Sequence, residues 1–156
     1  MTFAEAVHQA PEPVARSLKP GKQALGRYSA AVECDDSRRF VGSIALDSAL
    51  AATLPEAPRW DFGLGLKCGN QEAAVWLEVH TATTSEVPCV LAKLSWLKKW
   101  LAEQAPALWG LTGIANPAFL WLATDAGVHI RPGSPQALRL NRAGLGLPRK
   151  TAVLGT

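Results

Sequence analysis

Arg59-Trp60-Asp61-Phe62-Gly63-Leu64-Gly65-Leu66, Lys67-Cys68-Gly69-Asn70-Gln71 and Glu72-Ala73-Ala74-Val75-Trp76-Leu77-Glu78-Val79-His80-Thr81 follow one another without interruption. Large apolar residues alternate with small or polar ones on both sides of Gly69-Asn70, the period of a strand rather than a helix. A Gly-Asn pair between two such runs reads as a tight hairpin turn. With those two residues as the turn, each step back along one strand is a step forward along the other. Phe62 then faces Leu77, Leu64 faces Val75 and Leu66 faces Ala73, so one side of the hairpin is consistently apolar, which supports the register.

The opposite side carries Asp61, Gly63 and Gly65 from the first strand and Ala74, Trp76, Glu78 and His80 from the second, with Trp76 covering glycine. Asp61 falls opposite Glu78. Two carboxylates facing each other across a sheet repel unless a cation, a proton or a basic side chain lies between them. A divalent metal is one solution, because paired carboxylates supply hard oxygen ligands and leave water positions for a phosphate and an attacking nucleophile. A solvated sheet face is the other, with Arg59, His80 or a lysine of the following helix pairing with the acids.

After the hairpin, Val87, Val90, Leu91, Leu94, Leu97 and Leu101 recur at helical spacing, predicting a long helix from Ser85 or Glu86 to Gln104 whose apolar stripe faces the sheet. Before it, Phe40 to Leu46 reads as a strand, and Asp47 is placed to cap a short helix through Leu50 to Leu54, which Pro55 and Pro58 end. Thr2 and Glu5 form a T-x-x-E capping box for a first helix reaching the Pro11-Glu12-Pro13 break. Residues 14 to 28, with Lys19-Pro20-Gly21-Lys22, read as an exposed basic connection. Phe119 to Thr124 reads as a strand, Asp125-Ala126-Gly127 as a turn and Val128-His129-Ile130 as a hairpin mate. Ser134-Pro135 opens a last short helix, and Thr151 to Leu154 can add a final strand. The expected fold is α/β in the α+β sense: a mixed sheet around a central hairpin, the long helix on one face and short helices flanking it.

A chain of 156 residues, 48% of them hydrophobic, suits one domain spanning residues 1–156. Sixteen basic and thirteen acidic side chains give a net charge of +3, compatible with an anionic partner but short of a dedicated nucleic-acid binder. No apolar run reaches the roughly 20 residues that span a bilayer, so no membrane partner is expected. The Met1-Thr2-Phe3-Ala4-Glu5 start lacks the pattern of a secretory signal, and the expected compartment is the cytoplasm. Cys34, Cys68 and Cys89 are odd in number, widely spaced and without a CxxC, arguing against a disulfide framework or a zinc knuckle. No P-loop or GxSxG elbow is present.

An opening helix, a strand, and a hairpin with Asp at the start of one strand and an acid-x-base element near the end of the next, followed by a long helix, resembles the PD-(D/E)xK nuclease superfamily. The resemblance covers roughly residues 1 to 125 and rests on Pro58-Arg59-Trp60-Asp61 and Glu78-Val79-His80. It implies a restriction-endonuclease-like fold in which Asp61 and Glu78 hold Mg²⁺ or Mn²⁺ and a nucleic-acid phosphodiester is cleaved. His80 stands where the family places lysine, the residue that positions and deprotonates the attacking water. A histidine can act as base near neutral pH, and an inactive relative is the alternative. Lys93 in the following helix can supply a displaced cation, as in some relatives, although Lys93, Lys98 and Lys99 also fit a solvated basic face. Glu5 can approach such a metal, but capping already accounts for it.

Six tryptophans are many for this length. Trp96 and Trp100 share one side of the long helix, a candidate patch for a protein partner or a homodimer. Arg139, Arg142, Arg149 and Lys150 near one end, and Arg16, Lys19, Lys22 and Arg27 near the other, would line a phosphate-binding groove if they met. A non-catalytic interaction module on the same scaffold, using the tryptophan face, is therefore the rival to the nuclease reading.

Overall fold

The computed structural model describes residues 1–155, Asp125 through its backbone alone. Thr2 Oγ1 accepts from the Glu5 amide at 3.1 Å and the Glu5 carboxylate accepts from the Thr2 amide at 3.2 Å, closing the expected capping box on α1 (Phe3–His8). The chain continues through β1 (Val32–Cys34), β2 (Phe40–Ala45), α2 (Leu46–Leu50), β3 (Phe62–Cys68), β4 (Gln71–Ala82), α3 (Val87–Gln104), α4 (Pro106–Leu111), β5 (Phe119–Val128), α5 (Pro135–Arg142) and β6 (Ala152–Leu154). Short 3-10 segments cover Val14–Arg16, Gln23–Ala31, Ser37–Arg39 and Thr84–Glu86.

The main sheet has the order β2-β3-β4-β5, and the fold is mixed α+β. β2, β3 and β4 form an antiparallel meander, while β5 returns parallel to β4 after the crossover through α3 and α4. The hairpin register is the expected one, Phe62 pairing with Leu77, Leu64 with Val75 and Leu66 with Ala73. Gly69 takes φ +63° in the turn, a value that residues with a Cβ rarely adopt.

Each face of the sheet buries its own cluster. On one, Ala74, Trp76 and Trp121 pack with Phe3 and Val7 of α1 and with Val90, Leu94 and Leu97 of α3. On the other, Leu64, Leu66, Val75, Leu77, Leu120 and Leu122 pack with Leu25 and with Val32, Ala152 and Leu154. The last three belong to a parallel β1–β6 ladder that lies apart from the main sheet. The two glycines of β3 have a steric reason: a Cβ on Gly63 would stand 2.6 Å from the Trp76 ring, and one on Gly65 2.5 Å from the Phe3 ring.

Several local expectations are corrected. Residues 14–28 are not simply an exposed connection, because Val14 and Leu25 are buried under the sheet faces. The first helix stops at His8, short of Pro11. Asp47 does not cap α2, whose N-cap position is Ala45; its carboxylate instead takes Arg59 Nε at 2.9 Å. The Asp125-Ala126-Gly127 turn is absent, for β5 runs on to Val128 and rejoins β4 through an Ala82–Val128 pair after an irregularity. Gly127, at φ +85°, accommodates that break without reversing the chain. Ser134 does cap α5, accepting from the Ala137 amide at 3.1 Å, and the final strand forms as β6. Among the described residues no helix is long and apolar enough to cross a membrane.

Candidate functional site

Asp61 immediately precedes β3, and Glu78 lies on the neighbouring strand β4, so the hairpin register alone sets them side by side. Their contacts are reciprocal. The Asp61 amide donates to Glu78 Oε1 at 3.1 Å, and the Val79 amide donates to Asp61 Oδ2 at 2.9 Å. Glu78 is wholly buried, and Asp61 partly so. A buried carboxylate needs a partner. Lys93, two turns into α3 on the side that overlies β4, supplies it by ion-pairing with Glu78 Oε2.

His80, two residues beyond Glu78, points to the same face of β4. Its Nδ1 lies 3.4 Å from Glu78 Oε2, and its Nε2 lies 2.8 Å from Glu86 Oε2. Trp121 on β5 holds it from the side, with the rings edge to face at a centroid distance of 6.3 Å and the indole N–H donating to the His80 carbonyl at 2.9 Å. Cys89, one helical turn after Glu86, completes the surroundings. All four residues expected for the chemistry, Asp61, Glu78, His80 and Lys93, thus come together. Glu86 and Cys89 join them without a comparable sign in the sequence; their only signal there is an acid and a thiol at i, i+3 shortly after His80.

Burial and the Asp61 charge push the Glu78 carboxyl up to about 8, with Lys93 pulling it back. Burial also raises Asp61, against the Val79 amide and Lys93. Burial opposes charge on Lys93 too, but the Glu78 and Asp61 carboxylates outweigh it and hold the ammonium above its ordinary value. The two carboxylates and one ammonium therefore retain a carboxyl proton at neutral pH, with Lys93 charged throughout.

The pH dependence of stability follows. A carboxyl raised in the folded chain contributes stability that is complete below its ordinary value of 4.5 and is lost as pH rises through about 8. Lys93, also raised, loses its contribution only above 10.5 and leaves that window untouched. We expect urea denaturation to give a stability that declines by a few kcal/mol from pH 5 to pH 9, a tenfold difference in proton affinity between folded and unfolded chains being worth about 1.4 kcal/mol. Glu78→Gln should flatten that decline.

No family model, curated protein or solved structure matches this chain. The site therefore rests on its own geometry. Glu5 stays outside it, exposed and engaged in the α1 cap. Trp96 and Trp100 lie elsewhere on α3, stacked at 6.0 Å with 22° between their planes, beside a groove of about 500 Å³ that Pro11, Leu50 and Leu54 also line. Trp100 is only 6% exposed and is largely core. The two basic stretches do approach each other at one place, where Arg27 and Lys150 line a cavity of about 500 Å³ with Tyr28, Ala123 and Thr124. Ala123 pairs with His80 across the sheet, but Tyr28 and Ala31 pack on the face of Leu64 and Leu122, opposite the one that carries Glu78 and His80. Lys98 is occupied otherwise, lying over the Phe119 ring and donating to the Ala143 carbonyl at 2.8 Å.

Proposed function

We propose that the chain is a metal-dependent phosphodiesterase domain of restriction-endonuclease-like type, acting on nucleic acid. The observation that carries this reading is the ion pair of Lys93 with Glu78 beside Asp61: the lysine missing from Glu78-Val79-His80 returns from α3 to the same carboxylate. The order helix, strand, hairpin, long helix, strand also agrees with the resemblance noted in the sequence. Asp61 and Glu78 fit Mg²⁺ or Mn²⁺ in donor chemistry, being hard carboxylates on adjacent strands whose repulsion a cation would relieve. Asp61 Oδ2 is held by the Val79 amide, which leaves Oδ1 for an ion. A bound divalent ion would supply charge neutralisation at the phosphate and an acidified water.

The chain's own residues divide the remaining work. Lys93 yields its grip on Glu78 Oε2 and turns its ammonium to a phosphate oxygen. His80, fixed by Trp121 and Glu86, accepts the proton of the attacking water.

Calorimetric titration with Mn²⁺ and Mg²⁺ tests the assignment. The native chain should bind Mn²⁺, and Glu78→Ala should weaken binding at least 10-fold. Equal binding by both chains overturns the assignment of Glu78. Absence of binding to the native chain would favour the second reading, an interaction module in which Trp96, backed by the buried Trp100 on which it stacks, meets a protein partner or a second copy; loss of self-association in Trp96→Ala would then be its signature.

A further inference from the structure

Beside the two carboxylates lies a donor set of different chemistry. His80, Glu86 and Cys89 each offer one ligand atom, and the three atoms lie within 4.8 Å of one another. We infer that they form a second site for a thiophilic divalent ion of the Zn²⁺ class, which shares no ligand with Asp61 and Glu78 but, when filled, withdraws His80 from the proton-accepting role of the nuclease reading.

Three features support it. The first is composition: one imidazole, one carboxylate and one thiol make the mixed N/O/S set that Zn²⁺ accepts and Mg²⁺ does not. The second is preorganisation. Metal-bound histidines usually have a carboxylate beside their other ring nitrogen, and Glu78 stands there: His80 Nε2 is hydrogen-bonded to Glu86 at 2.8 Å, while Nδ1 lies 3.4 Å from Glu78 Oε2, near it but not hydrogen-bonded. Trp121 holds both its ring and its carbonyl. The third is placement. Glu86 ends the 3-10 turn that leads into α3, and Cys89 follows it by one turn on the same side. Cys89 is exposed, so the site opens to solvent and a fourth, water-bound position is accessible.

The adjustment needed is small. A tetrahedral ion with bonds near 2.0 Å separates its N and O ligands by roughly 3.3 Å, so the 2.8 Å gap between His80 and Glu86 opens slightly while the thiol draws in. Ligation releases the thiol proton to solvent, and the thiolate sulfur donates its electron pair to the ion.

Co²⁺ serves as the probe, because thiolate ligation gives an intense near-ultraviolet charge-transfer band that oxygen ligands do not. The reduced native chain should develop that band on Co²⁺ addition and lose it on addition of Zn²⁺. Cys89→Ser should abolish the band, Glu86→Gln should weaken binding 10-fold or more, and Cys34→Ala and Asp61→Asn should retain the band. Co²⁺ binding without a thiolate band, or a band that survives in Cys89→Ser, overturns the proposal. Since the readout is the thiolate band and not cleavage, its failure leaves the Asp61–Glu78 assignment standing, and the reverse.

Discussion

Asp61→Asn is expected to lower the proposed metal-dependent phosphodiester cleavage about 10³-fold or more while the thermal midpoint stays close to native. The amide oxygen of the asparagine can still accept from the Val79 amide, a bond of 2.9 Å in the native chain, so the hairpin end keeps its shape. What is lost is the charge. A metal ion contributes several kcal/mol of transition-state stabilisation, and each 1.36 kcal/mol is tenfold in rate, so removing an anionic ligand carries a penalty of that order. The folded chain gains something in return, because the Asp61 charge is one of the forces that raise Glu78. Cleavage of single- and double-stranded DNA and RNA with Mn²⁺, with melting followed by circular dichroism, measures both effects. Native-level cleavage by the variant would remove Asp61 from the chemistry.

The second large effect concerns folding. Lys93→Met should destabilise the chain by about 3–5 kcal/mol at pH 9, the usual cost of leaving a buried charge without its partner. Glu78 has no exposure to water and its Oε2 meets Lys93, so water cannot take over. At pH 6 the penalty should shrink, since the carboxyl titrates at about 8 and can stay neutral. Combining Lys93→Met with Glu78→Gln should recover most of the loss at either pH, giving a coupling energy that urea denaturation can resolve. Equal costs at both pH values, or no recovery in the double variant, would show that the ion pair does not carry the effect.

The site is more legible in the sequence than its surroundings. A two-residue turn and strict alternation fix a hairpin's register, and from that the neighbouring positions of Asp61 and Glu78 follow without knowledge of the rest of the chain. Lys93 is legible in part, since the stripe of Val90, Leu94 and Leu97 orients α3 on the sheet. Glu86 and Cys89 are not, because their approach to His80 depends on how the 3-10 turn Thr84–Glu86 folds α3 back over β4, which no local pattern specifies. The same limit applies elsewhere. Val32–Cys34 is too short to read as a strand until its partner is known, and that partner is Ala152–Leu154. Residues 119–130 divide wrongly on local pattern because Asp125-Ala126-Gly127 has turn composition, whereas pairing with β4 carries the strand onward past it.

The parallel pairing of Val32 with Ala152 also governs the order of events during synthesis. The hairpin of β3 and β4 joins residues close in sequence and can close early, while the cover of one face, shared by Leu25 and Val32 with Ala152 and Leu154, stays incomplete until residues 152–154 emerge. Contacts of such wide sequence separation form late and slow folding, because the intervening chain must be ordered before they add stability. Until then Leu64, Leu66, Val75 and Leu77, all buried in the finished fold, present a greasy surface to whatever is nearby. A nascent or C-terminally clipped chain would thus be a natural client of chaperones even with its acidic hairpin fully formed.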